Sequence, residues 1–411
     1  MTNLPQGWKW KSLGEICFIT DGTHKTPNYI ETGIPFLSVK NISKGFFDLS
    51  DVKYISLEER NKLIKRAKPE FGDILICRIG TLGKAIKISL EFEFSIFVSL
   101  GLLKPKVKII SDYLVYFLNS CFIEEWINDN KVGGGTHTAK LNLNILEKCP
   151  IALPPLKEQE RIVGILDENF AKIDENIKIL EQDLLNLDEL MQSALQKAFN
   201  PLKDNAKENY KLPQGWEWKS LGEIANTSSG GTPSRNKKEY WENGNIKWLK
   251  SGELNDGYID FIEENITEEA IKNSSAKIFQ KGTLLIAMYG ATAGKLGILN
   301  LDSTTNQAIC AFLHKDKNIK FLEKFLFYFL FFLRDKIIKD SFGGAQPNIN
   351  QTYIKNLQIP LPPIKEQEQI ASHLDELSSH VKNLKQNYQA QIKDLQELKN
   401  SLLDKAFKGN L

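Results

Sequence analysis

Two polar, glycine-containing segments occur once in each half of the chain, and their side chains are of the kinds that contact nucleic acid. The first, loop one, reads Asp21-Gly-Thr-His-Lys-Thr-Pro27 in one half and Ser229-Gly-Gly-Thr-Pro-Ser-Arg235 in the other. Hydroxyl, imidazole and cationic groups bond to base edges and phosphates, and glycine permits a close backbone approach. The candidate DNA contacts in loop one are Thr23, His24, Lys25, Thr26, Ser229, Thr232, Ser234 and Arg235. An ordinary polar turn is the alternative interpretation.

Loop two is the second polar segment and reads Gly133-Gly-Gly-Thr-His-Thr-Ala-Lys-Leu-Asn142 in the first half. Its counterpart is Gly343-Gly-Ala-Gln-Pro-Asn-Ile-Asn350. The side chains here that suit base-edge contacts are Thr136, His137, Lys140, Gln346 and Asn348. A plain connection between a helix and the last strand of the lobe is the alternative.

A third segment pairs Arg78-Ile-Gly-Thr-Leu-Gly-Lys84 with Tyr289-Gly-Ala-Thr-Ala-Gly-Lys295. Both copies are shorter than a phosphate-binding P-loop, and neither lysine is followed by Ser or Thr. The segment is therefore predicted to be a β-turn that contacts DNA phosphate rather than a nucleotide site. Its candidate contacts are Arg78, Lys84, Tyr289 and Lys295.

Two runs of basic residues add to these candidates. Arg60–Lys68 is predicted to place Lys62, Lys65 and Arg66 on one helical face, and Lys237 and Lys238 follow loop one of the second half. A run of charge is often only a solvated face, so that interpretation stays open for both runs.

An internal repeat specifies the elements that position these segments. Residues 4–16 and 212–224 differ at a single position, and 153–168 and 195–199 recur as 361–376 and 403–407. All three pairs have the same spacing of 208 residues, which indicates a duplication. We therefore expect two lobes with one scaffold and different surfaces, each followed by the same kind of tail.

Alternating apolar runs between turn residues predict β-strands within the lobes. The predicted strands are Pro35–Val39, Asp73–Arg78 and Ala85–Ser89 in the first lobe and Ile246–Leu249 and Thr283–Met288 in the second. One aromatic-rich helix is predicted in each lobe, near residues 112–128 and 321–339.

Apolar residues spaced three and four apart follow each lobe and are typical of a coiled-coil seam. The first seam comprises Val163, Leu166, Phe170, Ile173, Ile177, Leu180, Leu184, Leu187, Met191, Ala194 and Ala198. The second comprises Ile370, Leu374, Leu377, Val381, Leu384, Tyr388, Ile392 and Leu395. Because each helix leads away from its own lobe, we expect the two to pair antiparallel over a length of about 54 Å.

Composition excludes several classes of protein. At 411 residues the chain is long enough for two or more domains, and its net charge of +2 requires any DNA-binding charge to be local. The five cysteines are scattered without a C-x-x-C pair, which argues against disulfides and zinc. Residues 1–11 lack the apolar run of a signal peptide, and 321–333 is too short to span a bilayer, so a cytoplasmic, non-membrane protein is expected.

Three features of the chain are the frame LPQGWxWKSLGEI, a lobe that ends in LPPLKEQ, and a long helix that ends in KAF. In these three features the chain resembles the specificity subunits of type I restriction–modification systems. The resemblance covers essentially the whole chain. It implies an α+β fold in which two pseudo-two-fold-related, mixed α/β target recognition lobes are separated by a long antiparallel two-helix coiled coil. The implied domains are 1–154 and 203–362 for the two target recognition domains, the second with its linker, and 155–202 and 363–411 for the conserved helices.

The resemblance also implies partners. Each lobe would read half of an asymmetric, bipartite site in double-stranded DNA, while the helices set the gap and dock two methyltransferase subunits, through which two restriction subunits join. The repeated charged patch at the helix starts is the expected docking site: Lys157, Glu158, Gln159, Lys365, Glu366 and Gln367. Helix N-terminal charge that complements the helix dipole is the alternative. No cofactor is expected in this chain, since S-adenosylmethionine, and ATP with Mg²⁺, would bind the partner subunits.

Motifs for catalysis are not found in the sequence. The Pro-Pro pairs follow Leu153 and Leu361, whereas a methyltransferase would need Asn or Asp there, and no helicase P-loop occurs. We expect a DNA reader without enzymatic activity of its own. Two alternatives are a non-catalytic protein scaffold and the specificity chain of another restriction type.

Overall fold

The structure, a computed structural model, describes residues 4–134, 139–199, 212–315, 321–341, 348–409 and 411. The predicted contacts Thr136, His137 and Gln346 lie outside the described residues, as does the linker 201–211. The chain divides into two compact units, residues 1–181 with 389–411 and residues 182–388.

The lobe of the first unit is built from short strands and short helices. Its strands are β1 (Lys9–Ser12), β2 (Cys17–Asp21), β3 (Ile34–Leu37), β4 (Lys53–Ile55), β5 (Ile74–Cys77), β6 (Ala85–Lys87), β7 (Ser95–Ile96), β8 (Leu100–Pro105) and β9 (Pro150–Leu153). Its helices are α1 (Leu13–Ile16), α2 (Leu57–Leu63), α3 (Ser111–Leu118), α4 (Cys121–Asn130) and α5 (Leu143–Leu146), and the long helix α6 (Leu156–Phe199) follows.

The lobe of the second unit repeats this order with two additional edge strands. Its strands are β10 (Glu217–Ser220), β11 (Ala225–Ser229), β12 (Ile246–Leu249), β13 (Gly257–Ile259), β14 (Asn265–Ile266), β15 (Ile278–Phe279), β16 (Leu284–Ala287), β17 (Leu296–Leu299), β18 (Ser303–Thr305), β19 (Ile309–His314) and β20 (Gln358–Leu361). Its helices are α7 (Leu221–Ile224), α8 (Glu268–Lys272), α9 (Glu323–Lys339) and α10 (Gln351–Asn356), before the long helix α11 (Ile364–Phe407).

Each lobe contains two sheets and a terminal strand pair. In the first lobe the strand orders are β2-β8-β5-β6 and β4-β3-β7, and in the second they are β11-β19-β16-β17-β13 and β14-β12-β18-β15. The pairs β1-β9 and β10-β20 join the start of each lobe to its end in the same register, Lys9 opposite Leu153 and Glu217 opposite Leu361. Each long helix therefore begins beside the first strand of its own lobe.

The two long helices are antiparallel within each unit. In the first unit, Arg161 donates to the carbonyl of Leu411 and Lys399 forms an ion pair with Asp174, so residue numbers run in opposite directions along the two helices. In the second unit, Lys385 forms an ion pair with Asp188. The predicted α+β class with long antiparallel helices is confirmed.

Every residue of the first predicted seam is buried or half-buried. Leu384 of the second seam is 39% exposed, next to the stutter at Tyr388. A stutter shifts the apolar stripe away from the partner helix, which explains why this leucine is only partly covered.

The prediction of a single aromatic helix near 112–128 is wrong, because the structure contains two helices there, α3 and α4. The break falls at Asn119, whose side chain accepts from the backbone N–H of Ala85 and donates to the carbonyls of Ala85 and Val115. Ser120 donates to the carbonyl of Phe117 and occupies the N-cap position of α4. Polar side chains that bond to nearby backbone compete with helical hydrogen bonds and end the first helix.

The core of each lobe includes the end of a helix from outside the lobe. Phe407 of α11 packs against Tyr113 and Phe117 in the first unit, with ring centroids 5.6 and 4.9 Å away. Phe199 of α6 packs in the same way against Phe325 and Phe329 in the second, at 5.3 and 5.5 Å. Both phenylalanines belong to the repeated Lys-Ala-Phe ending.

Within the part of the chain that the structure describes, no helix is both long and apolar enough to cross a bilayer. In the same residues, no group of three or more His, Cys, Asp and Glu side chains is arranged to hold a metal ion.

Candidate nucleic-acid interface

Loop one of the first lobe is held against the lobe's own sheet. A Cβ at Gly22 would lie 2.1 Å from the carbonyl oxygen of Ile96, and the N–H of Thr23 donates to that oxygen at 3.1 Å. Gly230 is in the same position in the second lobe, where a Cβ would lie 2.0 Å from the carbonyl oxygen of Thr305. The close approach that these glycines permit is thus to a neighbouring strand of the lobe, whereas the sequence predicted a close approach to a DNA phosphate or groove.

The turn after Gly22 exposes some side chains and buries others. Thr23 is buried, and its hydroxyl bonds to the backbone of Lys25 at 3.1 and 3.2 Å. His24, Lys25 and Thr26 are exposed. Thr23 therefore shapes the turn, while the next three residues remain available for contact.

A buried carboxylate, Asp21, organises the first lobe's candidate surface. Its oxygens accept hydrogen bonds from Arg66 and Arg78, and from His24 Nε2 at 3.0 Å. Burial raises the pKa of Asp21, but the hydrogen bonds from Arg66 and the charge of Arg78 outweigh this, so that the pKa lies below its usual value. Two guanidinium groups around one carboxylate leave this site with a net positive charge.

Arg78 joins the three predicted segments of the first lobe. Besides Asp21 in loop one, it donates from Nε to the carbonyl of Leu141 in loop two at 3.0 Å and from Nη1 to that of Val98 at 3.2 Å. The prediction that Arg78 contacts DNA is contradicted by this placement, since its side chain is 8% exposed and all of these bonds are internal. It fixes the loops in place instead.

Arg66 occupies a different position from the predicted one. Helix α2 ends at Leu63, so Lys65 and Arg66 do not share a helical face with Lys62, and that prediction was wrong. Lys62 pairs with Glu58 at 2.9 Å, whereas Arg66 reaches Asp21 in loop one and keeps half of its side chain exposed. Arg66, unlike Lys62, thereby becomes part of the loop-one surface.

In the second lobe, aromatic residues organise loop one. The guanidinium carbon of Arg235 lies 3.6 Å from the ring centroid of Trp241 and 4.8 Å from that of Trp248. The two indole N–H groups donate into the same loop, Trp241 to the carbonyl of Ser234 at 3.1 Å and Trp248 to that of Gly231 at 2.9 Å. Glu264 completes the cage with an ion pair to Arg235 at 2.6 Å.

Two glutamines hold loop one of the second lobe in place. Gln351 donates to the hydroxyl of Ser229 at 2.6 Å and accepts from Thr227 at 2.9 Å. Gln307 accepts from the hydroxyl of Thr232, which is otherwise exposed. The lobes therefore use different side chains at matching places on one scaffold.

The third segment forms a turn in both lobes and lies beside loop two. Its ends are closed by backbone bonds from Cys77 to Lys84 at 2.9 Å and from Ala287 to Lys295 at 2.8 Å. Tyr289 pairs with Asn348 of loop two, and Ile79 with Lys140, as isolated β-bridges. Of the two lysines among the predicted contacts of this segment, Lys295 is exposed and Lys84 is half-buried. Lys140 and Asn348 of loop two are both exposed.

The basic residues after loop one of the second lobe point to solvent. Lys238 is 84% exposed and lies 3.9 Å from Glu242, and Lys237 donates to the hydroxyl of Tyr240 at 2.9 Å. Both remain accessible to a polyanion.

The two copies of the charged patch at the helix starts have the same Lys-Glu-Gln-Glu sequence, but their residues differ in burial and in hydrogen-bond partners. Gln159 and Gln367 are buried and bonded within their lobes, so the predicted partner contact by these two residues is contradicted. Glu158 pairs with Arg161 at 2.8 Å, whereas Glu366 accepts from Trp216 at 2.7 Å. Lys157 and Lys365 remain exposed.

Sequence reasoning missed the residues that hold the candidate surface together: Asp21, Trp241, Trp248, Glu264, Gln307 and Gln351. Asp21 lies 45 residues from Arg66, and Thr227 lies 124 from Gln351. No local pattern relates positions so far apart, although a polar residue at a strand end such as Asp21 is a usable signal.

Two stretches of the chain, residues 5–183 and 213–394, match the family model described as type I restriction modification DNA specificity domain. The StySPI specificity subunit of Salmonella potsdam is 27% identical over 99% of this chain and 90% of its own. The EcoKI specificity subunit of Escherichia coli strain K12 is 26% identical over 99% of this chain and 90% of its own length.

Two solved structures resemble the chain in fold. One, described under complex assembly and conformational transition of the type I R-M system, has a TM-score of 0.80 at 24% identity, with both chains covered completely. The HsdS subunit from Thermoanaerobacter tengcongensis has a TM-score of 0.60 at 23% identity, covering 100% of this chain and 99% of that one.

Proposed function

This chain belongs to the family of type I restriction–modification DNA specificity subunits, and we propose that its two lobes read the two halves of an asymmetric, interrupted DNA site. The family is one of non-catalytic DNA-recognition subunits, and its role is sequence specificity. The scaffold alternative is not favoured.

One observation carries the proposal for an asymmetric site. On a repeated scaffold, loop one is organised by Asp21 with two arginines in the first lobe and by two tryptophans with Arg235 in the second. Base edges are distinguished by the donors and acceptors presented to them. Lobes with different groups at matching places should therefore select different half-sites.

The surface proposed to contact DNA consists of loop one, loop two and the turn of the third segment in each lobe. Exposed side chains are assigned to bases or phosphates: His24, Lys25, Thr26, Arg66, Lys140, Thr232, Ser234, Arg235, Lys237, Lys238, Lys295 and Asn348. Ser229 and Tyr289 are assigned to support these segments, since both lie half-buried within them.

Partners are proposed from the family. Two methyltransferase subunits would dock on the long helices, with Lys157 and Lys365 as exposed contacts, and two restriction subunits would join through them. S-adenosylmethionine, and ATP with Mg²⁺, would bind those subunits. A complex that acts on host DNA would work in the cytoplasm, and the long helices would set the gap between half-sites.

The test is to co-express the chain with the methyltransferase encoded beside it and to map modified bases across a host genome by long-read sequencing. The expected result is one asymmetric motif of two short blocks with a fixed, unspecified gap. An assembled complex that modifies nothing with cofactor supplied would contradict the proposal. A fused nuclease–methylase as the only neighbouring partner would instead indicate another restriction type.

A further inference from the structure

Arg235 is held more firmly than is usual for a half-exposed arginine. Its side chain is 50% exposed, yet its guanidinium stacks on Trp241 and pairs through Nη1 with Glu264 at 2.6 Å. Trp241 also bonds to the carbonyl of the preceding residue, Ser234, at 3.1 Å. Both the backbone and the guanidinium plane of Arg235 are therefore fixed before any ligand binds.

The contacts leave one edge of the guanidinium unused. Glu264 occupies Nη1 and the tryptophan covers a face of the plane. Among the described residues, Nε and Nη2 of Arg235 have no hydrogen-bond partner. These two groups form a parallel pair of donors, the arrangement that bonds to two acceptors in one plane.

The carboxylate of Glu264 beside Arg235 repels a phosphate, whereas it does not repel the uncharged edge of a base. A phosphate contact derives its strength mainly from net positive charge. Glu264 offsets part of that charge, since it pairs with both Arg235 and Lys250 at 2.6 Å. Burial raises the pKa of Glu264, but these two cations outweigh it and keep the carboxylate ionised.

We infer that Arg235 reads a guanine in the half-site of the second lobe, with Nε and Nη2 donating to the O6 and N7 acceptors of that base. This rests on the proposed function and adds to it one base and the residue that selects it. Arginine bonded to both acceptors is the usual way to read guanine in the major groove. Trp241 and Glu264 are positioning residues, because they orient the guanidinium and need not touch DNA.

A comparison with the first lobe indicates that an arginine positioned to read guanine is specific to the second lobe. In the first lobe, loop one, residues 21–27, contains no arginine, and Arg66, which reaches that surface from outside the loop, already uses both Nε and Nη2 to bond to Asp21. The aromatic pair there is Tyr29 and Phe36, with ring centroids 5.9 Å apart. The guanine preference should therefore be confined to one half of the site.

The experiment uses the full chain in complex with its methyltransferase subunits and compares Arg235→Lys with the wild type by genome-wide methylation mapping. Lysine keeps the charge but lacks the paired donors. Discrimination for guanine at one position of one block should fall about 10- to 100-fold, with all other positions unchanged. Arg235→Gln should have the same effect, and Lys272→Gln, which removes an exposed charge at the end of α8 in the same lobe, should leave the motif intact.

The outcomes are distinct. An Arg235→Lys complex that retains its guanine preference would overturn the inference. One that loses methylation equally at every sequence would also overturn it and would identify a phosphate contact. Unchanged recognition of the other block in each variant verifies that the chain is folded. If the wild-type complex modifies no motif, the proposed function fails, and the inference fails with it.

Discussion

Gln159 and Gln367, which stand 208 positions apart in the repeat, make the same pair of hydrogen bonds in their respective lobes. Each donates from Nε2 to a proline carbonyl at 2.9 Å, that of Pro154 or Pro362. Each accepts, at Oε1, the backbone N–H of the residue that precedes an aromatic helix, Ile110 at 2.9 Å or Leu322 at 2.8 Å. One buried amide thus joins the long helix, the Pro-Pro turn and the aromatic helix.

Replacing either glutamine should destabilise its own lobe. In Gln367→Leu, the backbone N–H of Leu322 and the carbonyl of Pro362 lose a buried partner, which costs about 1–3 kcal/mol in the free energy of unfolding. Denaturant unfolding followed by circular dichroism measures the change. Lys365→Gln, two residues away and exposed, is the control and should be neutral. Equal stabilities for the two variants would contradict the structural role.

Phe407 should stabilise a lobe that lies far from it in the sequence. Because it packs in the core with Tyr113 and Phe117, Phe407→Ala should lower the stability of the first unit by about 3–5 kcal/mol. Hydrogen exchange with mass spectrometry should then show faster exchange in residues 111–130. Leu398→Ala, on the same helix and 46% exposed, is the matched control. Loss of protection only within α11 would show that the helix end is not part of that core.

Asp21 should make the first lobe sensitive to acid. Its pKa is lowered in the folded state, so the stability that it contributes is present above the ordinary pKa of an aspartate and is lost as the pH falls through the folded value. Asp21→Asn leaves Arg78 buried without its carboxylate and should cost about 3–5 kcal/mol at pH 7. The difference from the wild type should shrink below about pH 4. Melting curves across pH measure this, with the exposed Asp51→Asn as control; a difference that is independent of pH would contradict the assignment.

Lys295 should contact phosphate rather than a base. Lys295→Gln is expected to weaken binding of the purified complex to all DNA sequences alike and to reduce the dependence of log K on log salt by about one. Fluorescence anisotropy at several salt concentrations gives both quantities. Lys393→Gln removes a charge that is 76% exposed on the long helix and should change neither. A shift in the recognised motif would assign Lys295 to base reading instead.

The cysteines should differ sharply in reactivity. Burial raises the pKa of four thiols to about 12: Cys17, Cys77, Cys149 and Cys310. Burial also raises the pKa of Cys121, but this residue is half-buried, whereas the other four cysteines are buried. A maleimide at pH 8 should therefore label Cys121 first in the native protein and all five thiols in denaturant. Intact-mass and peptide mass spectrometry count the labels. Modification of Cys77 ahead of Cys121 in the native state would contradict the burial of Cys77 in β5.

Some features of the fold could be predicted because their signals are local. The repeat of residues 4–16 at 212–224, with one difference, indicated two lobes, and the spacing from Val163 to Ala198 predicted a helix whose apolar face is covered. Strand β12 lies where it was predicted, at Ile246–Leu249. The helix predicted near 112–128 failed because Asn119 bonds to Ala85, which is 34 residues away and invisible to a periodicity argument.

By itself, the sequence determined the duplication, the long helices and the three polar segments of each lobe, since repeats, apolar periods and turn residues are encoded by neighbouring positions. Only the tertiary structure decided which charges meet. Arg66 and Arg78 look alike in the sequence, yet one stays half exposed while the other is buried against Asp21 and Leu141. The two Lys-Glu-Gln-Glu patches look like exposed charged segments in the sequence, and only the structure shows that their glutamines are buried. Ion pairing and burial depend on proximity in space, which the chain acquires only when distant strands and helices pack together.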